Sequence, residues 1–400
     1  MRPWRTLPPA AAPLTASDLW HGVRGLFSGQ QAIRRVEEEM RAYFGVRHLF
    51  FVSSGKAALT LILLGLKSRS PRRQVVLPAY TCFSVPSAVA RAGLSISLCD
   101  LAPKTFDYDL RLLDNAINDE TLCVVASHLF GIPADLDGIN ARCRARGIYV
   151  VEDAAQAMGG LSQGRRLGTI GDVGFFSFGR GKNITCGTGG VIVTHSDEIA
   201  KAILPCYNAL PAMGRGADVT EMAKLALMAL FIRPTLYGLP AALPWLRLGE
   251  TVFDTDFPIQ KLSGRGAGLL WNWKARLESS NAARARAGAD YKKGLDQAPD
   301  VQPVAYLRFP WLCPNKAERD RFYTQAKPLG VSRMYPSALH EIPQIQGQFG
   351  GRDYPVACDV ASRLVTLPTH AGVEAKDRKT ICDTICDTLT STMGACRPRL

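Results

Sequence analysis

The sequence predicts an α/β fold, with a large domain built on a mostly parallel sheet and a small C-terminal α+β domain. Short apolar segments alternate with helical ones through the first half of the chain, which is typical of a parallel sheet. Glycines and prolines mark the turns between these segments. The chain has 400 residues, 47% of them hydrophobic, which is enough for one large core and a smaller second one.

The first part of the chain is predicted as an N-terminal arm, residues 1–31, followed by the large domain, residues 32–263. Prolines in the arm interrupt any apolar run long enough for the core of a signal peptide. Apolar residues at helical spacing predict a first helix at residues 32–43, which Gly45 ends. The predicted strands are HLFFVSS, QVVLPAY, SISLCD, TLCVVAS, IYVVEDA and VGFFSF, and the predicted helices among them are KAALTLILLGL, SVPSAVARAG and ADLDGINARCRARG.

The remainder of the chain, residues 264–400, is predicted as a linking helix and the small domain. A single long helix over residues 264–295 is expected to join the two domains. After it the pattern predicts the strand RFPWLCP, the helix KAERDRFYTQAKPLG, the strand RLVTLP and a final helix around AKDRKTICDTICDTL.

An apolar insertion occupies residues 223–248 of the large domain. Arginine, glycine and three prolines interrupt it, so no run approaches the roughly 20 apolar residues that a membrane-spanning helix needs. Two interpretations remain open at this stage. The insertion is either a helical hairpin packed on the protein or a patch that contacts a membrane face or an apolar partner.

The charge and the cysteines bound the function further. Forty-eight Lys and Arg residues against 35 Asp and Glu residues favour anionic partners such as nucleotides, phosphates or acidic lipids. No compact basic run with interleaved aromatics indicates nucleic acid. The eleven scattered cysteines are typical of reduced thiols in a cytoplasmic protein. Cys382 and Cys386 lack a second ligand pair, so no metal site is predicted.

A carboxylate and a lysine follow two of the predicted strands. Asp153 lies in VEDAAQ and Lys182 in SFGRGK, so both are expected at the same edge of the sheet, where ligands bind in α/β proteins. Pyridoxal phosphate (PLP) needs a lysine amine for its aldehyde and a carboxylate for its pyridine nitrogen. Lys182 can hold the cofactor as a Schiff base and then shuttle a proton, and Asp153 can pair with the pyridinium.

Donors for the cofactor phosphate are also present. The Ser177 hydroxyl is one, and the backbone N–H groups of the turn SSGKAAL, where a helix begins, are others. Taken singly, an Asp at a strand end is usually a helix cap and a Gly-Lys pair is usually a turn. The order and spacing of the whole set favour the cofactor interpretation.

Along nearly its whole length the chain resembles the DegT/StrS-type aminotransferases, which make amino sugars from nucleotide-linked keto sugars. The resemblance is carried by SSGKAAL, LPAYTC, HLFGIPADLDGI, VEDAAQAMGG and GDVGFFSFGRGKNITCGTGGVIVT, in this order. It implies a PLP-dependent fold-type I enzyme, a homodimer with active sites at the subunit boundary, and glutamate or glutamine as amino donor. It also implies a role for each residue of the site. Lys182 would be the Schiff-base lysine, Asp153 would lie on the pyridinium, Gln156 near the phenolic oxygen, and Ser177 with Ser54, Gly55 and Lys56 on the phosphate.

The chain departs from the family pattern at several positions. Lys56 replaces the usual threonine, and Cys82 stands where an aromatic residue usually stacks on the cofactor. Thr188 replaces a glutamate in the glycine-rich turn, and residues 259–263 lack the Asn-aromatic-Arg element that reaches the partner subunit. These changes alter the walls of the pocket, which select the substrate, rather than the cofactor anchors.

The sequence therefore predicts an aminotransferase acting on a keto sugar, nucleotide-linked as in the family, in polysaccharide, glycolipid or secondary-metabolite biosynthesis. The apolar insertion and the basic charge support one alternative, a lipid-linked or membrane-proximal keto substrate handled at the inner membrane surface. A second alternative is a PLP-binding regulatory protein without turnover. A dehydratase is disfavoured, because that branch has histidine where this chain has Lys182. The nearby His128, His340, His370, Arg333 and Tyr335 are interpreted as structural or peripheral rather than catalytic.

Overall fold

A computed structural model describes residues 5–246 and 249–393. The helices are α1 (Ala16–Gly25), α2 (Gly29–Phe44), α3 (Gly55–Arg69), α4 (Ser84–Arg91), α5 (Leu110–Ala116), α6 (Leu136–Arg144), α7 (Asp197–Asn208), α8 (Arg215–Phe231), α9 (Gly238–Ala241), α10 (Gly264–Leu269), α11 (Trp273–Gly294), α12 (Lys316–Ala326), α13 (Pro355–Arg363) and α14 (Ala375–Met393). The strands are β1 (His48–Val52), β2 (Gln74–Pro78), β3 (Ser95–Cys99), β4 (Thr121–Ser127), β5 (Tyr149–Asp153), β6 (Leu161–Ser162), β7 (Arg165–Arg166), β8 (Val173–Ser177), β9 (Gly190–Thr194), β10 (Arg308–Leu312) and β11 (Leu364–Pro368). Every strand and helix quoted from the sequence for the two domains has its counterpart here, except the single linking helix.

A seven-stranded sheet forms the centre of the large domain, in the order β1-β9-β8-β5-β4-β2-β3. The strands from β8 to β3 run parallel, whereas β9 pairs antiparallel with both β8 and β1. The expectation of a mostly parallel sheet is confirmed. Because β5 and β8 are parallel neighbours, with Asp153 opposite Phe175, Asp153 and Ser177 end at the same edge.

Helix α3 brings its N-terminus to this edge. The helix is apolar nearly all round, with nine buried residues, since it lies in the core against the sheet and against α4 and α7. Ser54 caps it, its hydroxyl accepting from the N–H of Ala57 at 3.0 Å. On the other side, α2 packs its buried residues Val36 and Met40 in one cluster with Trp273 of α11.

The N-terminal arm is more structured than the sequence analysis expected. Residues 16–25, assigned there to the arm, form helix α1, because Thr15 and Asp18 make a reciprocal capping box that the arm's prolines obscured. The extended part before it is tied down by backbone bonds from Leu7 N–H to Pro328 O and from Thr6 N–H to Pro234 O, both 2.9 Å long. The division of the chain into domains stays a prediction.

The single helix expected over residues 264–295 is wrong, because the structure has α10 and α11 with a break between them. Helix α10 approaches α1 too closely for side chains. A Cβ added to Gly264 would lie 2.4 Å from the Gly25 carbonyl oxygen, and one on Gly268 would lie 2.2 Å from the carbonyl oxygen of His21. The glycines that looked like tolerated interruptions of a helix are thus the contact surface between two helices.

The described part of the apolar residues 223–248 is spread over three helical segments. They begin inside α8, which starts earlier, at Arg215, and they continue through the short α9 to a turn of 3-10 helix at Pro244–Leu246. Residues 247–248 lie outside the described part of the chain. Among the described residues, no helix has the length and apolar character needed to cross a membrane.

The small domain places a two-stranded antiparallel sheet, β10 and β11, among α11, α12 and α14. The strand β11 is buried along its whole length. Directly after it, His370 turns its ring under the N-terminal arm. Its Nε2–H donates to Pro8 O at 2.9 Å while its Nδ1 accepts from the N–H of Gly372 at 3.2 Å, which fixes a neutral ring.

Burial lowers the pKa of His370 to about 4. The hydrogen bond to Pro8 O raises the pKa, but by less than burial lowers it. In the unfolded chain the ring titrates near 6.5, so between about pH 6.5 and pH 4 the unfolded state binds a proton that the folded state does not. We expect the free energy of unfolding to fall by up to about 3 kcal/mol across this window from this group alone. His370→Gln keeps an amide donor but removes the titration, so its denaturation midpoint should fall less on acidification than that of the wild type. An equal fall in both proteins would contradict the assignment.

Candidate active site

Asp153 and Lys182 come together at the carboxyl edge of the sheet. Asp153 is the last residue of β5, is 9% exposed, and accepts the N–H of Ala155 at 3.1 Å. Lys182 lies on the loop after β8. Its carbonyl oxygen accepts from the buried Arg284 guanidinium at 3.3 Å, which anchors this loop to the small domain.

The surroundings perturb both groups in opposite directions. Burial lowers the pKa of Lys182, opposed by the nearby Cys82 and Asp153. Burial raises the pKa of Asp153, opposed by Lys182, by the Ala155 N–H and by His128. Each charge therefore stabilises the other in a poorly hydrated site. The lowered pKa of Lys182 increases the fraction of free amine at neutral pH, and the free amine is the nucleophilic form.

A cradle for an anion lies beside this pair. Gly55, at the start of α3, faces Ser177, and a Cβ added to Gly55 would lie 3.1 Å from the Ser177 Cβ and 3.4 Å from its Oγ. The first N–H groups of a helix of 15 residues have no partner within the helix, so they attract an anion. The missing side chain at Gly55 keeps the space between these N–H groups and the Ser177 hydroxyl open.

Gln156, Tyr335 and Cys82 form an adjoining wall. The Gln156 amide donates to the Tyr335 hydroxyl at 2.8 Å, and its Oε1 accepts from Phe130 N–H at 3.1 Å. A hydrogen bond joins the Tyr335 hydroxyl to Cys82, and burial raises the pKa of that hydroxyl. The Phe83 ring stacks on Tyr335 with centroids 6.4 Å apart. Cys82 thus lies at the site, while the aromatic surface next to it comes from Tyr335 and Phe83.

Comparison with known proteins decides the family. Residues 24–225 and 261–386 match the profile of the DegT/DnrJ/EryC1/StrS aminotransferase family. The chain belongs to this family. The resemblance stated from the motifs is confirmed.

The sequence of this DegT/DnrJ/EryC1/StrS family member aligns with individual relatives over different lengths. It is 34% identical over 243 residues to the L-glutamine:2-deoxy-scyllo-inosose aminotransferase of Streptoalloteichus tenebrarius, covering 56% of each protein. It is 27% identical over 360 residues to the dTDP-3-amino-3,4,6-trideoxy-alpha-D-glucose transaminase of Streptomyces venezuelae, covering 87% of this chain and 84% of the other. The alignments with the first relatives by similarity span about half the length of those proteins, 41–56%.

The fold of this DegT/DnrJ/EryC1/StrS aminotransferase agrees with solved structures. The PLP form of the sugar aminotransferase Spr1654 from Streptococcus pneumoniae superposes with a TM-score of 0.76 at 19% identity, covering 96% of this chain and 99% of that one. The predicted α/β fold of the PLP-dependent type is confirmed.

The described residues fit PLP. The space at Gly55, which a Cβ would fill, supports this fit. It lies next to a serine hydroxyl and a helix N-terminus, both suited to bind a phosphate. The buried Asp153 suits a pyridinium, and the amine of Lys182 suits an aldehyde. Lys182, Asp153, Ser177 and the Ser54–Gly55 turn would hold the cofactor, and Gln156 lies on the wall beside them.

Lys56 behaves differently from the other residues predicted to hold the phosphate. Its ammonium donates to Asp254 at 3.3 Å and lies 4.3 Å from the centroid of the Phe257 ring. A carboxylate therefore already engages the charge that the sequence analysis assigned to the phosphate. A role for Lys56 in phosphate binding stays a prediction.

The three histidines that the sequence analysis interpreted as structural or peripheral all contact other residues of the protein. His128 donates from Nε2 to Glu152 at 3.0 Å and accepts Ala134 N–H at Nδ1, and both side chains are fully buried. Glu152 in turn accepts from Gly168 N–H at 2.7 Å and Gly171 N–H at 2.5 Å. His340 lies 3.8 Å from the sulfur of Cys358, in a separate cluster with Glu341. His370 is engaged with the arm.

The sequence analysis underestimated one residue and missed two. Tyr335 was interpreted as peripheral, but its hydroxyl meets Gln156. Arg308 begins strand β10 without any motif, yet its charge lowers the pKa of Lys182. Arg284 donates to Lys182 O, to Leu307 O at 2.6 Å and to Ala11 O at 3.0 Å. In the sequence, only the position of Arg284 within a polar helical pattern could have indicated this role.

Ser177→Ala is expected to weaken PLP retention about tenfold or more, because it removes a hydroxyl bond to a charged phosphate, worth about 1.5–3 kcal/mol. The dissociation constant can be measured from the visible absorbance during titration of the apoenzyme with PLP. Ser362→Ala is the matched control, since that hydroxyl bonds only to Asp359 O on the surface. Equal retention in the Ser177 variant and the wild type would contradict the cradle.

Proposed function

We propose that the protein is a PLP-dependent aminotransferase that moves an amino group from L-glutamate or L-glutamine to a keto sugar carried on a diphosphate. The observation that carries this proposal is the pairing of Lys182 with Asp153 beside the Gly55–Ser177 cradle. Family membership supports it, and so do the names of relatives that act on sugars linked to nucleoside diphosphates.

PLP, when bound, supplies an electron sink for the carbon that carries the amino group. The Nζ of Lys182 takes a proton from that carbon of the donor and delivers one to the acceptor carbon, which its lowered pKa permits near neutral pH. Asp153 would hold the pyridine nitrogen with its negative charge and keep that nitrogen protonated. Tyr335 and Gln156, joined by a hydrogen bond, would form the wall beside the cofactor ring.

The reaction balances as an exchange. The amino group and one hydrogen of the donor pass to the acceptor carbon, and the donor carbon gains the carbonyl oxygen. The donor leaves as a 2-oxo acid, and no external oxidant or reductant is consumed.

The donor half of this exchange tests the proposal. Purified protein loaded with PLP should show a visible absorbance band that bleaches on addition of L-glutamate or L-glutamine. A band that appears but resists both donors would overturn the proposal in favour of a PLP-binding protein without turnover. No band at all would overturn the cofactor assignment as well.

We further propose that the enzyme is cytoplasmic and acts as a homodimer, with its sites at the subunit boundary as in the family. Trp20 and Phe27, on α1 and just after it, are 61% and 89% exposed and offer apolar surface for such a contact. Sedimentation velocity of the PLP-loaded protein should give a dimer, and a monomer at micromolar concentration would contradict it.

A further inference from the structure

Residues 226–260 depart from the family pattern, because they lie between the two stretches that match the family profile. The segment is fixed to the large domain and to the arm. The Pro234 carbonyl accepts from the N–H of Thr6 at 2.9 Å, and the N–H of Asp254 donates to the Ser87 hydroxyl at 3.0 Å. These hydrogen bonds hold the 226–260 segment against the rest of the protein.

This segment closes one side of a cavity of about 1150 Å³. Tyr237 and Leu243 of the segment line it together with Arg308 and Tyr335. Tyr335 lines this cavity and also accepts the hydrogen bond of Gln156, so the cavity adjoins the candidate active site. A substrate whose keto group reaches Lys182 would thus extend along the 226–260 segment.

The cavity is basic on the side of the small domain. Four of its lining residues are cationic and one is acidic: Arg308, Arg319, Lys327 and Arg333 against Glu250. Arg319 and Arg333 share a single carboxylate, Asp320, at 2.8 and 3.2 Å, so the surplus of positive charge remains. Such a surface suits a diphosphate, which carries the sugar in the proposed reaction.

An exposed apolar surface adjoins the cavity, which Leu243 and Val252 of this surface line. Of the fourteen large hydrophobic side chains exposed in the described part of the chain, eight lie between residues 219 and 252: Val219, Leu227, Leu230, Leu239, Leu243, Trp245, Leu246 and Val252. Trp245 is 72% and Leu239 63% exposed. Such clustering of apolar surface marks an interaction site rather than the scattered exposure of an ordinary surface.

The charged residues near this apolar surface indicate which kind of partner it binds. In the sequence, residues 222–249 contain Lys224, Arg233 and Arg247 and no Asp or Glu. Glu221, which pairs with Lys224 at 2.9 Å, and Glu250 flank them. Exposed leucine and tryptophan beside a cavity lined mainly by cations fit the interface of an anionic lipid bilayer. A nucleoside, in contrast, is polar and would leave Leu239 and Trp245 in water.

We propose that the keto sugar is carried on a lipid diphosphate, with the sugar at Lys182, the diphosphate on the cavity arginines and the hydrocarbon chain along the 226–260 segment. The enzyme then works against an anionic membrane surface, from which the chain of its substrate emerges. This inference rests on the proposed aminotransferase function, since it names the carrier of the same substrate.

The first test is binding of the PLP-loaded enzyme to vesicles of phosphatidylcholine with and without phosphatidylglycerol. The wild type should co-sediment with the anionic vesicles, and the double variant Leu239→Ser/Trp245→Ser should bind at least about tenfold more weakly, because two apolar anchors are lost. The matched control is Leu112→Ser/Val301→Ser, whose side chains are 44% and 103% exposed elsewhere on the surface. It should bind like the wild type.

The second test is competition in the cavity, measured by protection of the enzyme-bound PLP from reduction by borohydride. Farnesyl diphosphate should protect the wild type at a concentration at least about tenfold lower than UDP or inorganic diphosphate does, and the Leu239→Ser/Trp245→Ser variant should lose this preference. Equal protection by all three compounds, or unchanged vesicle binding by the variant, would overturn the inference.

The outcomes separate this inference from the function on which it rests. Bleaching of the visible band by L-glutamate or L-glutamine in the double variant, together with lost vesicle binding, supports both. Bleaching without any preference for farnesyl diphosphate leaves the aminotransferase and removes the lipid carrier. Conversion of a dimer to a monomer by the double variant, with the preference for farnesyl diphosphate retained, would overturn the lipid contact and make this surface a subunit interface.

Discussion

Lys182→Ala is expected to lower the rate of amino-group transfer by on the order of 10²–10⁴-fold, the usual contribution of a positioned proton-transfer group. The expectation follows from the position of its Nζ, which is placed beside Asp153 and carries a pKa lowered by burial. Among the described residues, Lys182 is the lysine whose charge acts on Asp153. The measurement is the rate of 2-oxo acid formation from L-glutamate or L-glutamine in a single turnover of the PLP-loaded protein.

Lys379→Ala provides the control for Lys182→Ala. Its ammonium is exposed and pairs only with Asp383 one turn along α14, a contact worth about 0.3–0.5 kcal/mol. The control should keep the wild-type band and rate. A Lys182→Ala protein that still formed the wild-type band would exclude Lys182 as the Schiff-base lysine. One that formed the 2-oxo acid at a rate within about threefold of the wild type would exclude Lys182 as the proton-transfer group.

The position of the site at the sheet edge could be predicted from the sequence, because it depends on local patterns. The strands that end in Asp153 and Ser177 are continuous apolar runs, and nearly all of their residues are buried. Runs of this kind pair in parallel and end at one edge, so two residues at strand ends become neighbours. The turn before α3 follows equally from a Ser cap and a glycine.

The walls of the site could not be predicted in this way, because they depend on contacts between distant parts of the chain. Gln156 and Tyr335 are 179 residues apart, and the segment that carries Tyr335 has no regular periodicity. Arg308 looks like the first residue of any partly exposed strand. The break between α10 and α11 has the same origin, since it follows from the glycine contacts with α1 rather than from the local pattern.

Asp153→Asn is expected to reduce amino-group transfer by at least about 100-fold, which corresponds to about 2.7 kcal/mol of lost transition-state stabilisation. Asparagine preserves the shape of the side chain and can still accept the Ala155 N–H, at 3.1 Å in the wild type. The variant therefore removes the charge and little else. Without that charge the pyridine nitrogen loses the partner that keeps it protonated, so the electron sink weakens.

The charge of Asp153 also acts on Lys182, which gives a second readout that a structural role would leave unchanged. Asp153 raises the pKa of Lys182, so its removal should lower that pKa further. The pH profile for uptake of PLP by the apoenzyme should then shift to lower pH in Asp153→Asn. Asp172→Asn is the control, because that carboxylate lies at the opposite end of the sheet and accepts Val150 N–H at 2.7 Å. A pH profile in Asp153→Asn identical to that of the wild type would show that the two groups do not interact, and the site would lose the pairing on which the proposed function depends.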